Sequence, residues 1–105
     1  MLKYEYMVVM QTPLGKKHGT MFLTIRGNRM NGLLDILGNQ NAVRGEIDDH
    51  GVCKLCGHFM TLVRKIEYTA TGHADEREID LMLQGERNTF HLFGTAKPSL
   101  KGDIK

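Results

Sequence analysis

An alternation of apolar and polar residues with period 2, renewed about eight times, constrains this chain more than any other feature of its sequence. Such a strip gathers its apolar residues on one face only when it is extended, because successive side chains of a strand point to opposite sides. No run carries a helical stripe. The first run, Lys3 to Gln11, puts Tyr4, Tyr6, Val8 and Met10 on one face. Gly19 to Arg26 does the same with Met21, Leu23 and Ile25, and Met30 to Leu37 with Met30, Gly32, Leu34 and Ile36. Ala42 to Asp48 aligns Val43, Gly45 and Ile47, and Val52 to Met60 aligns Cys53, Leu55, Gly57 and Phe59. The last three runs are Lys65 to Gly72 (Ile66, Tyr68, Ala70), Arg77 to Gln84 (Ile79, Leu81, Leu83) and Thr89 to Gly94 (Phe90, Leu92). The breaks between runs are turn formers, among them Thr12-Pro13-Leu14-Gly15, Gly27-Asn28, Gly38-Asn39-Gln40-Asn41 and Asp49-His50-Gly51. Pro presets φ in such turns, and Gly accepts a positive φ.

Connections this short force neighbouring strands to pair antiparallel. An open meander of about eight strands would leave two unpaired edges, an aggregation hazard, and no segment is left over as a helix to cover them. The predicted fold is therefore all-β: a single eight-stranded antiparallel up-and-down meander barrel. Glycines inside the runs (Gly32, Gly45, Gly57, Gly72, Gly94) suit strands that bend at barrel corners. A chain of 105 residues holds one such domain. Residues 1–96 are expected to form it, and 97–105 a flexible C-terminal tail. A faint internal repeat, Thr12-Pro13-Leu14-Gly15-Lys16-Lys17 against Thr61-Leu62-Val63-Arg64-Lys65-Ile66, suits two four-strand halves of one barrel.

Eight short Gly-interrupted strands in order, with no helix, resemble the streptavidin-like and lipocalin-like (calycin-type) meander barrels. Thr12-Pro13-Leu14-Gly15-Lys16-Lys17 and the strand Met30-Asn31-Gly32-Leu33-Leu34 also resemble small uncharacterised bacterial proteins with Thr-Pro-(Met/Leu)-Gly and (Leu/Met)-x-Gly-x-Leu hairpins. The resemblance spans about residues 3–95 and is architectural. Streptavidin-like proteins grip biotin with several Trp, and lipocalins carry a Gly-x-Trp signature; this chain has no Trp. Fatty-acid-binding proteins carry a helical lid between their first two strands, for which Thr12 to Lys17 is too short. No binding residue carries over from these families.

Apolar residues at 41% argue against a disordered chain. No apolar run approaches the roughly 18 residues of a membrane span, so no membrane partner is expected. The start, Met1-Leu2-Lys3-Tyr4-Glu5, does not read as a signal peptide. A net charge of +2, with its cations spread along the chain, is too weak a footprint for nucleic acid. Two Cys make no disulfide framework, so a reducing, cytoplasmic setting is expected.

The sharpest local feature is His50-Gly51-Val52-Cys53-Lys54-Leu55-Cys56-Gly57-His58. Cys-x-x-Cys-Gly looks like half of a zinc knuckle, which His50 or His58 could complete. Yet no second Cys pair exists, and in a strand Cys53 and Cys56 point to opposite faces, one into the core and one outside. No metal is assigned on this pattern, and a redox role would need a helix N-terminus that the chain lacks. The five His show no ligand spacing, and His91 is placed on the outward face. Ser99 is the only Ser and lies in the tail. Asp48-Asp49 and Asp75-Glu76 are adjacent pairs in solvated turns, where burial rarely shifts a pKa. No catalytic set emerges, so the chain is read as non-enzymatic and without a cofactor.

Adaptable Met side chains can line a ligand room or fill an irregular core, and an eight-stranded barrel has space for either. The interior set Tyr4, Tyr6, Met10, Met21, Met30, Phe59 and Tyr68 is the candidate ligand-binding surface for a small apolar or aromatic molecule. The alternative is a filled barrel acting as a homo-oligomeric interaction module. Met7, Val9, Phe22, Leu33, Leu37, Met82 and Phe93 fall on the outward face, where a continuous apolar wall would support a homodimer.

Overall fold

The structure, a computed structural model, describes residues 2–61 and 63–97. It contains eight strands: β1 (Leu2–Thr12), β2 (Gly15–Arg26), β3 (Arg29–Ile36), β4 (Asn39–Ile47), β5 (Val52–Met60), β6 (Lys65–Ala74), β7 (Glu78–Gln84) and β8 (Thr89–Ala96). Each pairs antiparallel with the next, and β8 pairs back onto β1, so the meander closes into a barrel. The closed eight-stranded antiparallel meander is consistent with a calycin-like fold. Among the described residues no helix is long and apolar enough to cross a membrane; strands are a separate matter.

The registers fix the barrel's shape. Arg26 lies opposite Arg29, which leads through Glu46, Lys54, Thr71, Met82 and His91 to Gln11, whose β2 partner is Lys16. One circuit therefore returns to β2 ten residues from where it began. Ten residues at about 3.3 Å each, against eight strand spacings of about 4.8 Å, tilt the strands by roughly 40°. Coiling of this order brings neighbouring backbones together inside the wall. At Gly32 a Cβ would collide with the Phe22 carbonyl oxygen, and at Gly45 with that of Lys54.

The alternation places the core as expected. Tyr6 and Met10 are 0% exposed, and Met21, Met30, Leu34 and Phe59 are 1% exposed. A water-sized void beside any of them would leave it accessible area, so the middle of the barrel is filled by side chains.

The two ends differ. At one end the loops are tied to one another: Ile47 N–H donates to Asn28 O (2.9 Å), Ala74 N–H to Gly51 O (2.9 Å) and Ala96 N–H to Arg77 O (2.7 Å). Tyr6 reaches the same end and donates to the Asp75 carbonyl at 2.6 Å. The Asp48 and Asp75 carboxylates there accept backbone N–H groups of their own turns. At the other end, among the described residues, the bonds run within each loop. Thr12 Oγ1 donates to Gly15 O, Thr61 Oγ1 donates to Arg64 O, and Gly85 N–H donates to Asn88 O.

Two strand starts depart furthest from the sequence expectation. β2 begins at Gly15, because the β1–β2 ladder continues beyond Gly19 although β3 pairs only as far as Thr20. The β1–β2 hairpin thus projects past the barrel wall. β4 begins at Asn39, because the β3–β4 register leaves a two-residue turn, Leu37-Gly38. Both turn residues then need positive φ, 56° at Leu37 and 79° at Gly38. Leu37 was expected on the outer wall; the turn instead packs it against the core. Of the predicted tail, only Lys97 is described. Its N–H donates to Glu5 O (2.8 Å), and its Nζ pairs with Glu5 Oε2 (2.8 Å). The remainder, 98–105, lies outside the described residues.

Candidate functional site

The loosely tied end opens into a cleft of about 610 Å³. Its floor is Met10, Phe59 and Phe90, the last inward side chains of β1, β5 and β8 at this end. The rings of Phe59 and Phe90 meet edge to face, with centroids 5.6 Å apart. Leu37, Met60 and Ile66 wall the cleft, while Leu14 from the projecting hairpin and Val63 from the β5–β6 loop overhang it. Leu14 and Val63 are 87% and 88% exposed. The rim is polar, with Thr12, Lys17, Asn39, Thr61 and Asn88. An apolar hollow of a few hundred Å³ with few polar groups at its edge has the form of a small-molecule site.

The sequence-predicted site residues divide. Met10 and Phe59 line the cleft. Tyr68 stacks beneath Phe59, centroids 5.8 Å apart, as the next ring inward. Tyr6, Met21 and Met30 are packed in the filled middle. Tyr4 is half-buried toward the tied end, edge to face with Tyr6 at 6.0 Å. The cleft also takes Leu14, Leu37, Met60, Val63, Ile66 and Phe90, which the sequence reading left out of the site. Ile66 and Phe90 had been placed inward, so strand-end position was the available signal; Leu14 and Val63 had only the mark of an apolar residue in a turn.

Comparison with known proteins returned no match: no family model, no curated protein and no solved structure.

Two polar atoms near this end are buried with no hydrogen-bond partner, the Tyr68 hydroxyl and Asn41 Nδ2. Burial, and secondarily the nearby Cys56, holds the Tyr68 phenol well above its ordinary range. Tyr6 is likewise pushed up, mainly by burial, but its hydroxyl is bonded.

The cysteine pair is split across the wall, as the strand geometry requires: Cys53 is buried and Cys56 exposed. Burial, and then the Asp48 charge, pushes the Cys53 thiol up to about 11. Among the described residues no three His, Cys, Asp or Glu side chains gather as a metal site needs. His91 lies on the outer wall, its Nε2 2.8 Å from Asp80 Oδ1 and its ring 4.8 Å from that of Phe93. Asp75 is held below the usual carboxylate range by the N–H groups of Arg77 and Glu78, which is a turn-capping role.

Proposed function

We propose that this protein is a non-enzymatic binder of a small apolar or aromatic molecule, held at the open end of the barrel. The single observation that carries the reading is the cleft itself. Apolar side chains from both strands and loops line it, and Leu14 and Val63 stand almost fully in solvent beside it. Two such side chains left in water at one end fit a lining that a ligand would complete. Among the described residues, the bonds in the loops that carry them run within each loop. The resemblance to streptavidin-like and lipocalin-like barrels supports the same general reading, with the ligand nearer the mouth than the filled middle. A reducing, cytoplasmic setting fits two thiols that face opposite sides of β5.

Fluorescence titration with N-phenylnaphthylamine, a neutral apolar dye, tests the proposal. A saturable one-to-one response is expected. Ile66→Ser, which removes apolar surface from the wall, should weaken it by about tenfold or more, since each lost methylene is worth roughly 0.8 kcal/mol. No saturable response, together with no bound mass in native mass spectrometry of freshly purified protein, would overturn it.

The outer wall supports a second reading, a homodimer. Phe22 faces Leu33 across β2–β3, and Val9 faces Phe93 across β1–β8. Met7, Phe22, Leu33 and Met82 are exposed there. Apolar pairs exposed across neighbouring strands suit an association surface. A monomer by sedimentation at high micromolar concentration would count against it.

A further inference from the structure

We infer that the cleft's ligand is an amphipathic carboxylate, with its apolar body on Phe59 and Phe90 and its anionic head on the ammonium of Lys17. This rests on the cleft being the ligand site and names the chemical class that the site takes.

Lys17 breaks the pattern of its own strand. It shares the inward face of β2 with Gly19, Met21, Leu23 and Ile25, and it stands directly opposite Met10 of the cleft floor. Met21, Leu23 and Ile25 are buried in the core. The last inward position of β2 toward the open end is thus a cation where the rest of the strand sets Gly or an apolar residue. Lys17 is half-buried and lines the cleft. No Asp or Glu lines the cleft with it. Among the described residues the ion pairs are His73 with Asp75, His91 with Asp80 and Lys97 with Glu5, none of which involves Lys17. A lysine held against an apolar floor gives up part of its hydration, and an anion beside it restores the lost interaction.

Most of the remaining rim is already engaged. Thr12 Oγ1 donates to Gly15 O and accepts the Leu14 N–H. Thr61 Oγ1 donates to Arg64 O and accepts the Val63 and Arg64 N–H groups. Asn39 Nδ2 donates to Leu37 O at 3.2 Å. These bonds shape the loops. A head group at the rim therefore meets the Lys17 ammonium and the Asn88 amide.

The charge around the mouth has the same sign as Lys17. The projecting β1–β2 hairpin adds Lys16, the β5–β6 connection leads through Arg64 to Lys65, and the β7–β8 turn carries Arg87. Glu86, in that last turn, is the one acid in these segments. Such a field draws an anion toward the mouth. One cation at the seat suits a compact monoanion, and a carboxylate keeps its charge at neutral pH. An anionic membrane surface would also meet a basic ring with Leu14 and Val63 exposed. The inward place of Lys17, opposite Met10, favours instead the head of a single molecule whose body lies in the cleft.

Displacement of N-phenylnaphthylamine by decanoate and by 1-decanol tests this, with both kept below micelle-forming concentrations. The two chains are of equal length and differ in the head group. Water solvates the heads differently, so the informative quantity is the decanoate-to-decanol potency ratio within each protein. That ratio should fall about tenfold from wild type to Lys17→Met, which keeps the apolar stem, and should be largely retained in Lys17→Arg and Lys16→Met. A ratio that stays within twofold in Lys17→Met overturns the inference while leaving the cleft reading intact. An equal fall in Lys16→Met would trace the preference to the general field of the mouth and overturn the seat at Lys17. Binding to phosphatidylglycerol vesicles with no displacement of the dye by decanoate would make the partner a membrane surface and also overturn it. Failure of the dye to bind wild-type protein would remove the cleft reading and this inference with it. Should Lys17→Met not fold, Lys17→Gln removes the same charge. Carbon-13 resonances of carboxyl-labelled decanoate read the contact directly. The bound carboxyl should titrate at lower pH in wild type than in Lys17→Met, and the same midpoint in both would refute the ion pair.

Discussion

Removing one oxygen should make this protein more stable. The Tyr68 hydroxyl is buried and has no partner. A buried donor left unsatisfied costs about 1–3 kcal/mol. Tyr68→Phe removes that cost and keeps the ring stacked on Phe59. What is lost is the dispersion contact of one atom, a few pairs at about 0.1–0.2 kcal/mol each. The vacated space lies beside Gly57. The net gain is about 1–2 kcal/mol, which in a domain near 100 residues raises Tm by roughly 5–10 °C. Urea unfolding of protein stripped of bound small molecules is the assay, with a higher midpoint at unchanged slope as the expected result. Gly57→Ala should also cost less in the Tyr68→Phe background, since the oxygen lying 2.8 Å from the new methyl is gone. A variant less stable than wild type in the stripped state would mean that the hydroxyl has a partner within the fold and would refute the expected gain.

Three further outcomes follow from the wall. Gly32→Ala should abolish folding or cost more than about 3 kcal/mol, since the methyl meets the Phe22 carbonyl, whereas Gly27→Ala, in an open turn at φ 59°, should cost about 1 kcal/mol; circular dichroism with urea titration separates them, and equal costs would refute the crowding argument. At pH 8 a thiol reagent should modify Cys56 alone, with Cys53 reacting only as the protein unfolds. The Cys53 thiol prefers its neutral form in the fold, so the unfolded chain ionises first and stability falls as pH rises from about 9 toward 11. Tyr6 and Tyr68 add to that loss above pH 10, and an alkaline limb that is flat in urea midpoints would count against these shifts.

The wall was legible because its physics is local. Period-2 patterning fixed which residues face inward, from Tyr6, Val8 and Met10 on β1 to Phe90 and Leu92 on β8, and short turns dictated antiparallel neighbours. Closure was an inference about unpaired edges, and Tyr6 to Gln11 pairing with β8 satisfies it. The site was less legible because it depends on register, which no single strand encodes. Nothing in Asn39-Gln40-Asn41-Ala42 says that β5 will leave it unpaired; that depends on where Val43 meets Gly57. Leu37 shows the same limit. Its alternation reads as an outward strand residue, but a two-residue turn forces it to positive φ, at about 1–2 kcal/mol for a residue with a Cβ.

The departures from local preference are not scattered over the barrel. Leu37 at positive φ, the unpartnered Tyr68 hydroxyl and Asn41 amide, the lapsed β4–β5 ladder and the exposed Leu14 and Val63 all lie toward one end. The opposite end has its loops bonded to each other and the Tyr6 hydroxyl satisfied by Asp75. A chain optimised only for stability would have no reason to divide itself this way, because the same small substitutions, Tyr to Phe or Leu to Gly, would relieve the strained end as well. On the proposed reading, strain gathered at the end that carries the apolar cleft is the local cost of keeping a site there. The filled middle then serves the mouth: Met10 and Phe59 can form a firm floor because Tyr6, Met21 and Leu34 leave no space beneath them into which they could retreat.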